Sequence, residues 1–459
     1  MIKQVCYTIL FFLLIFFANG CGAGRGGNSK AYNAGQVYPK VPCASDTTLS
    51  YSLCLPPLFD EKKPMPLLIL FDSHGDGLLP VNLFKAEAAR HGFIIAGSNN
   101  SKNGMPTTET TAIFRNILTD LSTRFSINEE AVYLAGFSGG ARVAAAVAIT
   151  ERGIAGVVGC GAGMPNINQK PMSNFSFLGV AGNQDFNLTE LRNLDNVLDK
   201  SGFTHHLIEF QGIHQWPTAG VIPEIFTWIA FDAMRHGALP VDRNKTNSFI
   251  EANDKMAGSM AAAGMLHGQR EIYIKMLHYL GGLTDIGPLQ TEITRLDAEK
   301  EVIAFRKKQD EMLGMEQQLQ AKYAPEIQQK DLGWWKKESA FLQANSEKPS
   351  NPDMIAVYKR LLGYLSLNCY MLSTGMLKQG DLAVASKCIE IYRMVDPTNA
   401  EHRYLAAKVA ARNKTADEAF RLLDQAFELG FTDVARLRSD PDFNNYHSDS
   451  RYKVLLKRK

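Results

Sequence analysis

Ala131-Val132-Tyr133-Leu134-Ala135 is a short apolar run, Gly136-Phe137-Ser138-Gly139-Gly140 interrupts it, and an alanine-rich stretch from Ala141 to Ile149 follows. This reads as a buried strand, a tight turn and a helix, with Ser138 on the turn. The glycines have a mechanical purpose there: a bulky side chain two positions before or after Ser138 would collide with the helix or the strand. The hydroxyl is thereby pushed outward, and the Gly139 amide near the helix N-terminus faces the place where an oxyanion would develop. Gly-x-Ser-x-Gly arises by chance often enough that the strand-turn-helix context carries the reading.

Working outward, similar short apolar runs recur at Ser50 to Leu55, Pro66 to Phe71, Phe93 to Ala96, Ile154 to Val158, Phe175 to Val180 and His206 to Phe210. Helical stretches lie between them. In Ala112 to Phe125 the residues Ile113, Ile117, Leu121 and Phe125 stand four apart, one apolar stripe at helical period. Alternating strands and helices predict an α/β fold, a mostly parallel sheet covered on both faces, with ligands bound beyond the C-terminal ends of the strands.

Two more residues occupy such ends. Asp185 follows the run ending at Val180, and His214 follows the run ending at Phe210. A serine hydroxyl is a weak nucleophile until a histidine takes its proton, and the histidine needs an acid to fix its tautomer. The order Ser138, Asp185, His214 supplies all three, although Asp185 also reads as a helix N-cap. Trp216 reads as packing beside the base, and the polar Asn99 to Gly104 as a solvated loop.

These motifs resemble the α/β-hydrolase superfamily, most of all secreted esterases of the polyhydroxybutyrate-depolymerase, feruloyl-esterase and dienelactone-hydrolase-like type. Gly212-Ile213-His214-Gln215-Trp216-Pro217 is similar to their signature around the base, and the resemblance spans about residues 48–236. It implies Ser138 as nucleophile, His214 as base and then acid, and Asp185 as the orienting carboxylate. Gly139 would give one oxyanion-hole amide and Asp76, in His74-Gly75-Asp76-Gly77, the other. The strand runs on into Phe71-Asp72-Ser73, which shifts that donor by a residue or two in an alternative reading. No metal or organic cofactor is implied. No insertion stands where a lid would, so an open cleft is expected, suited to a bulky ester, whether carbohydrate-linked or polymeric. A serine peptidase of the same fold is the alternative enzyme; an envelope scaffold with a degenerate hydrolase domain is the alternative from another class.

The N-terminus reads as an address. Lys3 precedes an apolar run of 13 residues, Val5 to Phe17, which suits a signal-peptide core and falls short of the ~20 that span a bilayer. Phe17-Ala18-Asn19-Gly20-Cys21 resembles the lipobox of bacterial lipoproteins, with Cys21 as the lipidation site and Ala18 where leucine is usual. Cleavage there implies a signal peptide over 1–20, a flexible tether over 21–44, and a lipid-anchored protein of the bacterial cell envelope. Ordinary signal cleavage near Gly20 is the alternative.

The 459 residues predict more than one domain, and 49 Lys plus Arg against 47 Asp plus Glu give no cationic surplus for nucleic acid. Seven scattered cysteines show no zinc spacing; Cys43 and Cys54 are the one pair close enough to consider as a disulfide across a hairpin. An α/β-hydrolase domain is expected over 45–238, a helical connecting region over 239–350, and helical repeats with a C-terminal cap over 351–459. In the last, a shift of 34 residues aligns Ala385 with Ala419, Ile389 with Leu423 and Tyr370 with Tyr404, so the segment resembles tetratricopeptide repeats. Stacked repeats offer a groove for a protein partner, or else simply buttress the catalytic domain.

Overall fold

Eight strands make one sheet in the computed structural model, which describes residues 32–165, 172–348 and 352–458; the expected signal peptide and Cys21 lie outside these. The strands are β1 (Val37–Pro42), β2 (Ser50–Cys54), β3 (Met65–Phe71), β4 (Ile94–Ser98), β5 (Ile127–Phe137), β6 (Gly156–Cys160), β7 (Ser176–Gly182) and β8 (His205–Phe210). They lie in the order β1-β2-β4-β3-β5-β6-β7-β8. The β1–β2 and β2–β4 pairings are antiparallel, and every other pairing is parallel. The edge strand β1 was not among the expected runs: Val-Tyr-Pro-Lys-Val-Pro carries two prolines, which the ladder tolerates only at an edge.

Five helices cover the sheet: α1 (Leu78–His91), α2 (Thr107–Arg124), α3 (Gly139–Thr150), α4 (Leu188–Ser201) and α5 (Ile222–Arg235). The two-residue strand period decides which core each side chain joins. Leu67, Ile69 and Phe71 pack with Ile117, Leu121 and Leu191 of α2 and α4, while Leu68 and Leu70 pack with Phe84 and Phe226 of α1 and α5. That second layer continues into α6 (Arg243–Ala262) and α7 (Leu266–Leu280), whose Ala257, Met276 and Tyr279 share its core.

From there the described chain is helical: α8 (Gly287–Asp297), α9 (Lys300–Gln329), α10 (Leu332–Glu347), α11 (Pro352–Gln379), α12 (Leu382–Val395), α13 (Glu401–Arg412), α14 (Ala416–Glu428), α15 (Val434–Ser439) and α16 (Ser450–Leu455). Gly380, at φ +82°, ends α11, and the Asp381 carboxylate caps α12 by accepting the Val384 amide at 3.0 Å. Ala385, Ile389, Tyr404, Ala419 and Leu423 are buried together in a core separate from those of the sheet.

Cys43 and Cys54 are both free and buried, so no disulfide joins them. The hairpin explains why: Cys54 pairs with Val37 at one end of β1, whereas Cys43 follows β1 at the other end, donating its amide to Leu49. The Asn99–Gly104 loop is not merely solvated. Asn99 and Asn100 spend their amides on Pro39, Ser50 and Thr48, tying the loop to that hairpin.

The tightest fit lies beneath the serine turn. A Cβ on Gly140 would sit 2.0 Å from the Phe71 carbonyl oxygen, and one on Gly136 would sit 2.2 Å from the Gly140 carbonyl carbon. Both obstacles are backbone, one in the central strand β3 and the other in the first turn of α3, so neither can step aside as a side chain could. Gly140→Ala is expected to lower stability by about 3 kcal/mol or more, the upper range for overpacking; a urea unfolding midpoint matching the unsubstituted protein would show the contact to be slack.

Candidate active site

Each functional side chain is carried on a loop at the same end of the sheet. Ser138 stands between β5 and α3 at φ 53° and ψ −118°, a conformation L-residues adopt only under constraint. Its amide is tied to the Cys160 carbonyl at the end of β6, at 2.8 Å. Asp185 follows β7, His214 follows β8, and the three converge. His214 Nε2 lies 3.0 Å from Ser138 Oγ, and His214 Nδ1 lies 2.9 Å from Asp185 Oδ1.

Three other histidines of the sheet domain are remote from this rim. His205 and His206 begin β8, and His236 pairs with Ser176 at the start of β7, all at the opposite ends of those strands. Asp185 is fully buried; its Oδ1 also accepts the Asn187 amide at 2.8 Å, and its Oδ2 has no hydrogen-bond partner. Asn187, not Asp185, is the residue at the α4 N-cap. The imidazole of His214 is held between two rings, Phe186 at 4.1 Å and Phe137 at 4.7 Å between centroids. Gly161, at φ +63°, leaves space beside them, since a Cβ there would reach within 3.1 Å of both Asp185 Oδ2 and His214 Cε1. Neither Phe186 nor Gly161 stood out in the sequence, because only the folded loops bring them to the histidine.

The Asp76 side chain turns away from the group, toward α1. β3 ends at Phe71, a turn closes at once from the Gly75 amide to the Asp72 carbonyl, and the exposed Asp76 accepts the Leu79 amide at the start of α1. The residues of this loop that reach the site are Ser73 and His74. The His74 amide is taken by Asp72 Oδ1 at 2.8 Å, whereas Ser73 N–H has no hydrogen-bond acceptor among the described residues. Gly139 keeps its place at the first position of α3, with the Asn103 side chain over it.

Trp216 is a packing residue. Its ring meets Phe137 and Phe84, and its Nε1 donates to Asp72 Oδ2 at 3.1 Å. Burial alone would push the Asp72 carboxyl up, but hydrogen bonds from His74 and Trp216 outweigh it and hold the group below the usual carboxylate range.

The expected open cleft is covered in part. A cavity of about 1140 Å³ lies over Ser73, Asn103, Phe186 and His214, and its opposite wall is the C-terminal helices. Leu362, Ser366 and Tyr370 of α11 contribute, as do Tyr392 and Val395 of α12 and Arg436 of α15. The cover is supplied by residues more than a hundred positions downstream of His214 rather than by an insertion in the sheet domain, which is why no lid was legible. Among the described residues one cluster has metal-ligand chemistry, Asp195, Asp199 and His205. It lies at the far end of the sheet, where the two carboxylates raise the histidine's pKa against the effect of burial.

The strand order, the antiparallel β2 and a serine turn after β5 together define the architecture. The fold is that of an α/β-hydrolase. No protein-family model matches the chain, and no curated protein matches it. Among the solved structures to which it is similar are several esterases and a puromycin-hydrolyzing peptidase of Mycobacterium tuberculosis, and the similarity covers the sheet half. An esterase of Pyrobaculum calidifontis is 12% identical, with 44% of this chain and 87% of that chain covered at a TM-score of 0.34. S-formylglutathione hydrolase from Staphylococcus aureus is 15% identical, with 42% and 94% covered at 0.34. The feruloyl esterase module from Clostridium thermocellum, complexed with sinapinate, is 14% identical, with 44% and 90% covered at 0.34.

The Asp72 bonds set a pH dependence. A carboxyl depressed in the folded state stabilises above its unfolded value near ~3.9, and that stability is lost as pH falls through the lower folded value. Trp216→Phe removes one donor and raises the folded value, so it should cost about 1 kcal/mol at neutral pH and start acid unfolding at a higher pH. A pH titration of tryptophan fluorescence or circular dichroism that overlays the unsubstituted curve would contradict this.

Proposed function

We propose that the protein is a serine hydrolase acting on carboxylic esters through an acyl-enzyme. One observation above all supports the reading: the continuous hydrogen-bonded line from Ser138 Oγ through the His214 imidazole to Asp185, opening on a cavity large enough for an ester. Ser138 Oγ attacks the carbonyl carbon while His214 Nε2 takes its proton, and Asp185 holds the imidazole in the required tautomer. The amides of Gly139 and Ser73, without an acceptor among the described residues, stabilise the tetrahedral oxyanion, Ser73 taking the part that the resemblance gave to Asp76. Collapse expels the alcohol, which leaves with the proton from His214. Water then repeats the cycle on the acyl-serine, with His214 again as base.

The helical wall shapes what can enter. It presents the rings of Tyr370 and Tyr392 beside Lys359, Asp396, Asp433 and Arg436, a mixed polar and aromatic surface that fits an ester with a polar alcohol or acyl group of moderate size better than a polymer. We further read the chain as exported, with lipid attached at Cys21 and 351–459 as tetratricopeptide-like repeats. The groove of those repeats then serves the active site, leaving less surface for a separate protein partner.

The test is hydrolysis of a panel of p-nitrophenyl, acetylated-sugar and feruloylated-sugar esters, with peptides alongside. Ser138→Ala should abolish turnover, and His214→Ala should lower kcat by at least ~10³-fold, since nucleophile and base act as a unit. Near-normal turnover by either variant, or cleavage of peptides in preference to every ester, would contradict the reading.

A further inference from the structure

The helical half does more than cover the cavity. Arg360 of α11 donates Nη1 to the carbonyl oxygen of Asn183 at 2.7 Å, two residues before Asp185. Its Nε is held by both carboxylate oxygens of Glu316 on α9, at 2.9 and 3.0 Å, and its Nη2 by the same carboxylate. Both side chains are nearly inaccessible, at 5% and 1% exposure. One turn along α11, Gly363 lies against Phe186, where a Cβ would come within 3.0 Å of the ring, and Phe186 is the ring that packs, tilted by 36°, against His214.

A buried ion pair is a poor way simply to join two helices, because apolar residues of similar size hold them as well or better. What this pair provides is direction. Glu316 takes the edge of the planar guanidinium formed by Nε and Nη2, so the remaining nitrogen has one orientation, and it points at the Asp185 loop. From the sheet side the same loop is fixed by its amides: Asn183 to Phe210, Gln184 to Gly212 and Asp185 to Gly182, at 2.7, 2.9 and 2.9 Å. The Asn183 carbonyl is the outward-facing group, and Arg360 is what holds it.

We propose that Arg360, oriented by Glu316, is a positioning residue for the Asp185–His214 pair, and that α11 is thereby a working part of the catalytic centre. This rests on the hydrolase reading, whose geometry tolerates little drift: a displacement of ~1 Å at such a centre costs on the order of 10²-fold in rate.

The test replaces both charges together, so that none is left buried and unpaired: Arg360→Met with Glu316→Leu, and separately Arg360→Gln with Glu316→Gln, whose shorter amide cannot reach Asn183. Three readouts are taken on the full-length protein: kcat and KM on a p-nitrophenyl ester, the rate of labelling by a fluorophosphonate, and the low-field proton NMR signal of His214 Nδ1–H. For whichever pair unfolds at the wild-type temperature, kcat and labelling rate should fall at least ~10-fold with KM within about twofold, and the NMR signal should shift or broaden. A folded pair that keeps wild-type kcat, labelling and NMR signal overturns the positioning role. Wild-type protein that is not labelled at Ser138 overturns the hydrolase reading and the proposal with it, whereas labelled wild type with unaffected variants overturns the positioning role alone.

Discussion

The structure turns on a contact with no side chain in it. At the base of the serine turn, α3 lies so close to β3 that only a hydrogen fits between Gly140 and the Phe71 carbonyl. That closeness lets the chain reverse from β5 into α3 within the turn and forces Ser138 into its unusual backbone angles. The outward hydroxyl, the Gly139 amide with no acceptor among the described residues, and the register of the neighbouring β6, tied to the Ser138 amide, all follow from it. The conformational cost is borne by the parallel ladder, where β3, β5 and β6 are buried on both faces and cannot shift independently.

Around that fixed point the remaining groups are held by packing rather than by strain. His214 is clamped between Phe137 and Phe186, Phe137 rests on Trp216, and Trp216 is anchored to Asp72 at the end of β3. The chain of contacts thus returns to the strand that abuts Gly140. The helical half closes the arrangement from outside, giving the cavity its second wall and meeting the acid loop through Arg360 and Gly363. A segment that in sequence looks like an appended module is, in three dimensions, in contact with the loop that carries Asp185.

Much of this was legible in the residues, and the reasons are physical. Buried parallel strands must be apolar on both faces, so β3 to β7 announce themselves as short apolar runs, and the glycines around Ser138 are dictated by backbone proximity. The order of serine, aspartate and histidine at strand ends then locates the site. What could not be read depends on distance along the chain. Arg360 meets the Asn183 carbonyl across 177 residues, and a polar side chain facing a cavity has the same sequence signature as one facing water. That Ser73 and His74 line the cavity has a more local cause: the turn after β3 closes within four residues, which keeps the start of the loop at the strand end. The missed β1 and the absent Cys43–Cys54 link share a hairpin whose prolines disguise a strand and whose register keeps the thiols at opposite ends.

The central claim, that the strained turn presents an activated serine to a hydrogen-bonded histidine, is tested most directly by treating the intact protein with a fluorophosphonate and mapping the modified peptide by mass spectrometry. The expected result is a single adduct on the peptide containing Ser138, formed rapidly at neutral pH and lost when the protein is unfolded beforehand. No adduct, or one distributed over other serines and tyrosines at the rate of the unfolded chain, would contradict it.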